Sequence, residues 1–146
     1  MSIIDRTFIR YIIIINKELI NKMKITTFNP QIITRNAEAL VKLFEELGFE
    51  KRHQQEGIGE KDVTGIRMKD SNGFHLDISQ PDSLPPGPDL VAVRMNVDNF
   101  DEAYQLLVSH GFKNFYGDHI TGTRTGKSAI MISPTGFAIN LIQHIK

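Results

Sequence analysis

Residues 36–49 read NAEALVKLFEELGF, and this stretch decides the fold of the chain. Asn36 is a favourable N-cap, because its side-chain oxygen can accept a hydrogen bond from a free backbone N–H of the first helical turn. Apolar side chains follow at the i, i+3, i+4 and i+7 spacing of one helix face, and they are Leu40, Leu43, Phe44 and Leu47. Gly48 is suited to end the helix in the left-handed conformation, since glycine has no Cβ to clash. The pattern predicts a capped amphipathic helix of about three turns.

The same signal recurs 63 residues later, where residues 99–112 read NFDEAYQLLVSHGF. Eight identical pairs share this ungapped offset: Asn36 and Asn99, Leu43 and Leu106, Gly48 and Gly111, Phe49 and Phe112, Gly59 and Gly122, Met68 and Met131, Gly73 and Gly136, and Phe74 and Phe137. Two unrelated helix–turn signals are the alternative explanation, but the register holds through the turns as well as the helices. The sequence therefore predicts a duplicated module that is larger than a solenoid repeat.

The overall composition narrows the classes of function. The 146 residues suit one compact domain, or two half-domains that share a core. Seventeen basic residues balance seventeen acidic ones, so the chain has no electrostatic footprint for nucleic acid or an anionic membrane. The absence of cysteine excludes disulfides, thiolate nucleophiles and zinc–sulfur sites, and it fits a cytoplasmic protein. No apolar run reaches 18 residues, so we expect no membrane span.

The first 22 residues lie outside the duplication. Residues 11–15, YIIII, are mostly β-branched and are typical of a strand. The segment lacks the basic region and the small-residue cleavage site of a signal peptide, and Met23 resembles a natural start. Because an exposed apolar run is unfavourable in water, we expect this N-terminal extension to pack as a strand or helix on the domain or across a dimer contact. The alternative is a tail held only by a crystal lattice.

Each copy carries the same order of predicted elements. In module 1 a strand at residues 24–34 precedes the helix, and strands follow at residues 49–54, 63–69 and 74–79. Gly57 and Gly59 are expected to end the first of these three strands, and Asp70-Ser71-Asn72-Gly73 is a strong turn signal before the last. The order is therefore β-α-β-β-β.

A proline-rich link separates the modules, since QPDSLPPGPD at residues 80–89 cannot continue a sheet ladder. Module 2 has predicted strands at residues 90–97, around Phe115 and Tyr116, at 127–132 and at 137–145. We assign residues 1–22 to the extension and 23–146 to the domain, with module 1 at 24–80, the linker at 81–89 and module 2 at 90–146. The predicted fold class is α+β: two βαβββ modules form a cleft-bearing mixed β-sheet with the helices on its outer face.

These pieces resemble the vicinal oxygen chelate superfamily, which includes glyoxalase I, bleomycin-resistance proteins and extradiol dioxygenases. The resemblance rests on the strand–helix units that end in Leu47-Gly48-Phe49 and His110-Gly111-Phe112, and on SNGFHLDIS (71–79) and SPTGFAINLI (133–142). It spans residues 24–145, and it implies the glyoxalase/bleomycin-resistance-like fold with a cleft between the modules.

In that family four symmetry-related positions hold a metal ion, one in the first and one in the last strand of each module. The resemblance places them here at Asn29, Asp77, Ala92 and Asn140, and the offset of 63 relates the first two to the last two. The family's metal enzymes usually carry His or Gln, Glu, His and Glu. One carboxylate, two amides and a methyl group are a poor ligand set for a transition metal or a hard cation. We therefore predict no metal and no other cofactor.

Strand alternation identifies the side chains that share the face of those four positions. They are Gln31, Ile33, His75, Ser79, Arg94, Asn96, Ala138 and Ile142. The opposite faces are apolar and are expected to pack under the helices, and they carry Ile32, Leu76, Ile78, Val93, Met95, Val97, Ile139 and Leu141. The predicted ligand-binding residues are the polar members of the first face, namely Asn29, Gln31, His75, Asp77, Arg94, Asn96 and Asn140. The alternative is that these groups face bulk water on an open sheet.

Two residues carry more specific hypotheses. The planar fork of Arg94 suits a carboxylate or phosphate of a ligand, although Arg94 could instead pair with Asp77 and neutralise both charges. His75 shares a strand face with Asp77 and is the candidate catalytic residue, as a proton carrier. A structural histidine is the more common alternative.

Two other motifs do not predict a site. Residues 122–128, GTRTGKS, are similar to a phosphate-binding loop, but only three residues separate the glycines and a strand follows instead of a helix. We expect a hairpin or a mobile loop at the cleft edge. The remaining histidines show no metal-ligand spacing, and they are His53, His110, His119 and His144.

The sequence leaves two function classes open. The first is a protein that binds or sequesters a small polar or amphipathic organic molecule without the usual metal, as the drug-binding members of the family do. The second is a metal-dependent glyoxalase-like lyase, isomerase or dioxygenase with an atypical or subunit-shared site. In either case the expected partners are a small-molecule ligand and a second copy in a homodimer, with neither nucleic acid nor membrane.

Overall fold

The first half of the chain has the βαβββ order, and the second half repeats it with one additional short strand. The computed structural model describes residues 6–12, 23–58, 63–123 and 126–144. A short helix, α1, covers residues 6–12. Module 1 contains β1 (Ile25–Ile33), α2 (Ala37–Glu46), β2 (Glu50–Ile58), β3 (Val63–Lys69) and β4 (His75–Gln80). Module 2 contains β5 (Leu90–Val97), α3 (Phe100–Ser109), β6 (Lys113–Asn114), β7 (Thr121–Thr123), β8 (Gly126–Ile132) and β9 (Ala138–His144). Residues 81–89 between them form neither helix nor strand.

These strands form one mixed sheet in the order β2-β3-β4-β1-β5-β9-β8-β6, with β7 paired to β8. Within each module the first strand runs parallel to the last, as β1 with β4 and β5 with β9. The modules meet where β1 pairs antiparallel with β5. The predicted α+β fold with two like modules is confirmed.

Both helices begin and end where the sequence predicts. The Oδ1 atom of Asn36 accepts from the backbone N–H of Ala39 at 3.2 Å, and Oδ1 of Asn99 accepts from that of Glu102 at 3.1 Å. Gly48 and Gly111 follow the helices with φ of 105° and 88°, which a residue with a Cβ rarely adopts. The two N-caps and the two glycine exits are confirmed.

A ninth identical pair at the offset of 63, which the sequence analysis missed, has one structural role. The side-chain oxygen of Gln80 accepts from the backbone N–H of Ala37 at 2.9 Å, and that of Gln143 accepts from Phe100 at 2.6 Å. In each module the last strand therefore holds the first turn of the helix through a glutamine. These bonds satisfy backbone donors that have no partner inside the helix.

Two of the three core clusters lie between the helices and the outer face of the sheet, as predicted, and a smaller one around Ile33, Ala92 and Ala138 lies on the opposite face. Leu76 and Ile78 pack with α2, and Met95, Val97 and Leu141 pack with α3. The predicted apolar stripe of α2 is only partly right, because Leu43 and Leu47 are exposed. The stripe that faces the core instead has Ala37 and Val41 buried, with the predicted Leu40 and Phe44 partly buried beside them. The small residues at 37 and 41 let the helix approach the sheet closely.

Two strand predictions differ from the structure in their bounds. Gly57 does not end a strand, because β2 continues to Ile58. Gly57 has a φ of 66° and lies where the register between β2 and β3 shifts. Phe115 and Tyr116 lie in a turn after β6. That turn is closed by Asn114, whose Oδ1 accepts from the Tyr116 N–H at 3.0 Å.

The N-terminal extension is described only at residues 6–12, where α1 replaces the predicted strand character of Tyr11 and Ile12. The side chains of α1 are exposed. Residues 13–15 of the apolar run lie outside the described residues. Among the described residues, no helix is long and apolar enough to cross a membrane.

Candidate functional site

A cavity of about 290 Å³ lies on the face of the sheet opposite the helices, and both modules line it. Polar lining residues include Gln31, His53, Gln55, Arg67, Asp77, Ser79, Arg94, Ser128, Asn140 and His144, and apolar ones include Ile58, Val63 and Ile142. Four of the predicted ligand-binding residues are in this set, namely Gln31, Asp77, Arg94 and Asn140. Their gathering follows from the register, in which Gln31 lies opposite Asp77 and Arg94 lies beside Asn140.

The polar face is not an open sheet in bulk water. Asn29 and Asn96 are each 7% exposed, and Gln31 and Asp77 are each 3% exposed. Polar groups buried to this extent need hydrogen-bond partners. The alternative of a solvated face is therefore wrong for these four residues.

Asp77 is the centre of the hydrogen-bond network. Its Oδ2 accepts from Nδ2 of Asn29 at 2.6 Å and from Nη1 of Arg67 at 3.3 Å, and its Oδ1 accepts from Nη1 of Arg94 at 3.0 Å. Nε of Arg94 also donates to Oδ1 of Asn96 at 3.2 Å. Asn29 and Asn96 thus lie behind the cavity wall as partners of the charged groups.

A second network joins the modules. Nδ2 of Asn140 donates to Oε1 of Gln31 at 2.8 Å, and Nε2 of Gln31 donates to Oγ of Ser79 at 2.7 Å. The amide of Gln31 is held at both ends, which fixes its orientation. These bonds hold the floor of the cavity together across the β1–β5 junction.

The two hypotheses for Arg94 are not exclusive. Arg94 does form an ion pair with Asp77, yet its side chain keeps 21% of its surface exposed and lines the cavity. Arg67 also contacts Asp77, with 28% of its side chain exposed. One carboxylate therefore faces two guanidinium groups, which leaves positive charge at this end of the cavity.

His75 does not line the cavity. Its Nδ1 is buried and has no hydrogen-bond partner among the described residues. Desolvation, followed by Arg67 and Lys69, lowers the pKa of His75, while Asp77 acts in the opposite direction. The imidazole is therefore neutral at neutral pH, and no hydrogen bond joins it to Asp77 in the described part of the chain. Its catalytic role stays a prediction without a contact to support it.

The four positions at which the resemblance places metal ligands do not fit a metal ion. Ala92 offers no donor atom, and both oxygens of Asp77 already accept hydrogen bonds from Arg67, Arg94 and Asn29. Nδ2 of Asn140 donates to Gln31, so this amide is oriented by a neighbour within the protein. No group of three His, Cys, Asp or Glu side chains suitable for a metal occurs within the described ranges. Two guanidinium groups beside a single carboxylate would also repel a cation.

Sequence reasoning missed several lining residues, among them Arg67, His53, Gln55 and His144. Arg67 could have been predicted from the sequence, because the predicted turn at residues 70–73 sets the antiparallel register that places Arg67 opposite Asp77. His53 then follows, since β2 pairs His53 with Arg67. Partial burial and the charge of Arg94 lower the pKa of His144, which adds no charge to the cavity at neutral pH.

The loop similar to a phosphate-binding loop is a β7–β8 hairpin in which Thr121 pairs with Ser128, so the hairpin prediction is confirmed. Ser128 faces the cavity. Lys127 contributes to the wall, but its Nζ lies on the outer face, 2.8 Å from Oδ1 of Asp101 and 5.2 Å from the ring centroid of Phe100. The charge of Lys127 is therefore not a cavity charge.

Comparison with solved structures identifies several that share the fold of this chain. A methylmalonyl-CoA epimerase is 20% identical, with 81% of this chain and 94% of that chain covered at a TM-score of 0.55. The methylmalonyl-CoA epimerase from Mycobacterium tuberculosis is 14% identical, with 84% and 90% covered at 0.54. A glyoxalase/bleomycin resistance protein/dioxygenase superfamily member from Vibrio splendidus 12B01 is 15% identical, with 82% and 99% covered at 0.50. No protein-family model and no curated protein matches the sequence. At identities this low, the similarity shows a shared fold and nothing further.

Proposed function

Since the chain has the vicinal oxygen chelate fold, we propose that it binds a small polar or amphipathic organic molecule in the cleft between its modules, without the usual metal ion. The observation that carries the proposal is the cavity of about 290 Å³ lined by both modules. Its volume is close to that of small-ligand pockets, and its wall combines fixed polar groups with aliphatic side chains. This combination suits a ligand with one polar and one apolar part.

A binding or sequestering role needs shape and polarity but no chemistry. The cavity supplies both, whereas the described site offers no placed nucleophile, no metal ligand set and no acid–base pair in contact. We therefore place binding before catalysis in the proposal.

A thermal-shift screen tests the binding role. Amphipathic antibiotics and small organic acids are added to the purified full-length protein, and a cleft ligand is expected to raise Tm in a concentration-dependent way, because it binds the folded state alone. The variant Ser128→Trp places a large side chain in the cavity and should abolish the shift. Gln105→Trp, on the exposed side of α3, is the matched control and should retain it. No shift with any compound of either set would count against the proposal.

The metal-dependent alternative has its own test. The epimerase and dioxygenase names among the structural neighbours favour an isomerase or oxygenase, and such activity in this family depends on a bound metal. Elemental analysis of the full-length protein, purified without chelator, is expected to find no stoichiometric metal. Nickel, zinc, iron or manganese at about one equivalent per chain would overturn the metal-free part of the proposal and favour the atypical or subunit-shared site.

A further inference from the structure

The charges around Asp77 do not balance. Asp77 carries one negative charge, and Arg67 and Arg94 each carry one positive charge, so the three side chains have a net charge of +1. Each guanidinium reaches the carboxylate through a single nitrogen, Nη1, at 3.3 Å and 3.0 Å. Neither ion pair is bidentate, so each guanidinium donates to the Asp77 carboxylate through one nitrogen only.

Donors remain available on both arginines. A guanidinium has five N–H donors. Beyond the bond to Asp77, Arg94 uses Nε for Asn96, and Arg67 has no other hydrogen bond within the described residues. Both side chains line the cavity and are partly exposed to it. Two forks with unused donors, which reach Asp77 from β3 on one side and from β5 on the other, form a receptor for oxygen atoms that carry negative charge.

The surrounding groups keep this end of the cavity positive. The imidazole of His144 is neutral at neutral pH, because partial burial and Arg94 lower its pKa. Among the described lining residues, Asp77 is the acidic one. Its charge is already shared between two arginines.

A smaller apolar recess of about 90 Å³ lies next to the cavity. Ile33, Val63 and Ile130 contribute to its wall together with Tyr116. Val63, Ser79, Thr121, Ser128 and Asn140 border both spaces, so the recess adjoins the cavity. A molecule that spans the two spaces meets arginine at one end and aliphatic side chains at the other.

We propose that Arg67 and Arg94 bind an oxyanion group of the ligand, a carboxylate or a phosphate, while an aliphatic part of the same ligand enters the recess of Ile33, Val63 and Ile130. This inference rests on the proposed function and names the class of ligand. The proposal also explains why the four positions expected to hold a metal lack suitable ligands. Two guanidinium groups, instead of a divalent cation, supply the positive charge of the site.

Isothermal titration calorimetry with four probes that share one octyl chain tests the proposal. The probes are octanoate, octyl phosphate, octanol and octylammonium, used with the full-length protein. We expect octanoate or octyl phosphate to bind about tenfold or more tightly than octanol, because charge-assisted hydrogen bonds to guanidinium add to the apolar contact. Octylammonium should bind weakest. The ratio of the two anions distinguishes a carboxylate site from a phosphate site.

Variants locate the effect. Arg67→Gln and Arg94→Gln should each remove most of the preference for the anions and leave octanol binding unchanged. Asp77→Asn raises the net charge of the cluster from +1 to +2 and should tighten anion binding. Lys42→Gln removes an exposed lysine of α2, which does not line the cavity or the recess, and it is the matched control with no expected effect. Circular dichroism melts establish that each variant is folded.

Salt dependence provides a test without any substitution. Affinity for the anions should fall between about 0.05 M and 0.5 M NaCl while affinity for octanol is maintained, since ions screen the charges. Equal affinity for octanol and the anions, or an anion preference that persists in both arginine variants, would overturn this inference and leave the cleft-binding function standing. Failure of all four probes to bind would count against both.

Discussion

At the scale of single residues, glutamine links the last strand of each module to its helix. Gln80 and Gln143 occupy equivalent positions of the duplication and accept from Ala37 and Phe100, the first residues of α2 and α3. Asn36 and Asn99 cap the same helices from within the loop. Each helix start is therefore held by two side chains from different parts of the module.

Gln143→Ala is expected to lower the free energy of unfolding by about 1–3 kcal/mol, because it leaves a backbone donor of the buried residue Phe100 unpaired. Gln80→Ala should behave alike, since Ala37 is also buried. Gln105→Ala on the exposed side of α3 is the control and should change stability by less than about 0.5 kcal/mol. Urea unfolding followed by circular dichroism measures all three. A cost at Gln105 as large as at Gln143 would contradict the capping role.

His75 gives a pH dependence with a defined sign. Its pKa is lowered in the folded protein below the ordinary value of 6.5, so the unfolded chain binds the proton more readily. The contribution of His75 is therefore present above pH 6.5 and is lost as pH falls through the folded pKa. We expect His75→Gln to flatten the fall in unfolding free energy between about pH 7 and about pH 5. His110→Gln, at the exposed C-cap of α3, is the control; a slope in His75→Gln equal to that of the unaltered protein would contradict the prediction.

At the scale of elements, alternation along strands was the most reliable predictor. It separated the face that carries Gln31, Asp77 and Arg94 from the face that packs under the helices, because side chains of a strand point alternately to its two sides. Pairing was harder to predict. Strand β2 reads EKRHQQEGI and is exposed over nearly its whole length, so no apolar period marks its extent. At Phe115 and Tyr116 the aromatic signal was outweighed by a turn that Asn114 closes through its side chain.

Gly126 is the element-scale position with the least space. A Cβ at this residue would lie 1.8 Å from the backbone oxygen of Gln143 on the neighbouring strand β9. We expect Gly126→Ala to cost about 2 kcal/mol or more, since backbone cannot move aside as a side chain can. Gly65→Ala is the control, because its Cβ would meet only the Cδ1 atom of Ile58 at 3.0 Å. Denaturant unfolding of the two variants tests this, and an equal cost at both positions would contradict it.

At the scale of the whole molecule, the duplication also relates exposed apolar residues on the outer face of the sheet. Helices α2 and α3 cover part of the outer face of the sheet, and apolar side chains of the central strands β1 and β5 remain exposed beside them. Phe28 and Val91, which are equivalent positions at the offset of 63, are 66% and 68% exposed there. An apolar surface with approximate two-fold symmetry is suited to an isologous contact with a second copy.

We propose that this central stripe is the contact of the predicted homodimer. Light scattering should then give about twice the chain mass of 16.6 kDa. Phe28→Glu combined with Val91→Glu should give the single mass, because buried unpaired carboxylates oppose association. Leu43→Glu combined with Leu106→Glu alters another exposed equivalent pair, on α2 and α3, and should leave the mass doubled. A single-chain mass for the unaltered protein would refute the dimer.

The antiparallel β1–β5 junction has a consequence for synthesis on the ribosome. Strand β1 finds its parallel neighbour β4 within module 1, but its other edge stays open until residues 90–97 have been translated. During that interval the nascent chain exposes an unpaired strand edge, which can also pair with β5 of a neighbouring polypeptide. Rapid overproduction would therefore favour domain-swapped assemblies, in which every module is complete and each β1–β5 pair joins two chains.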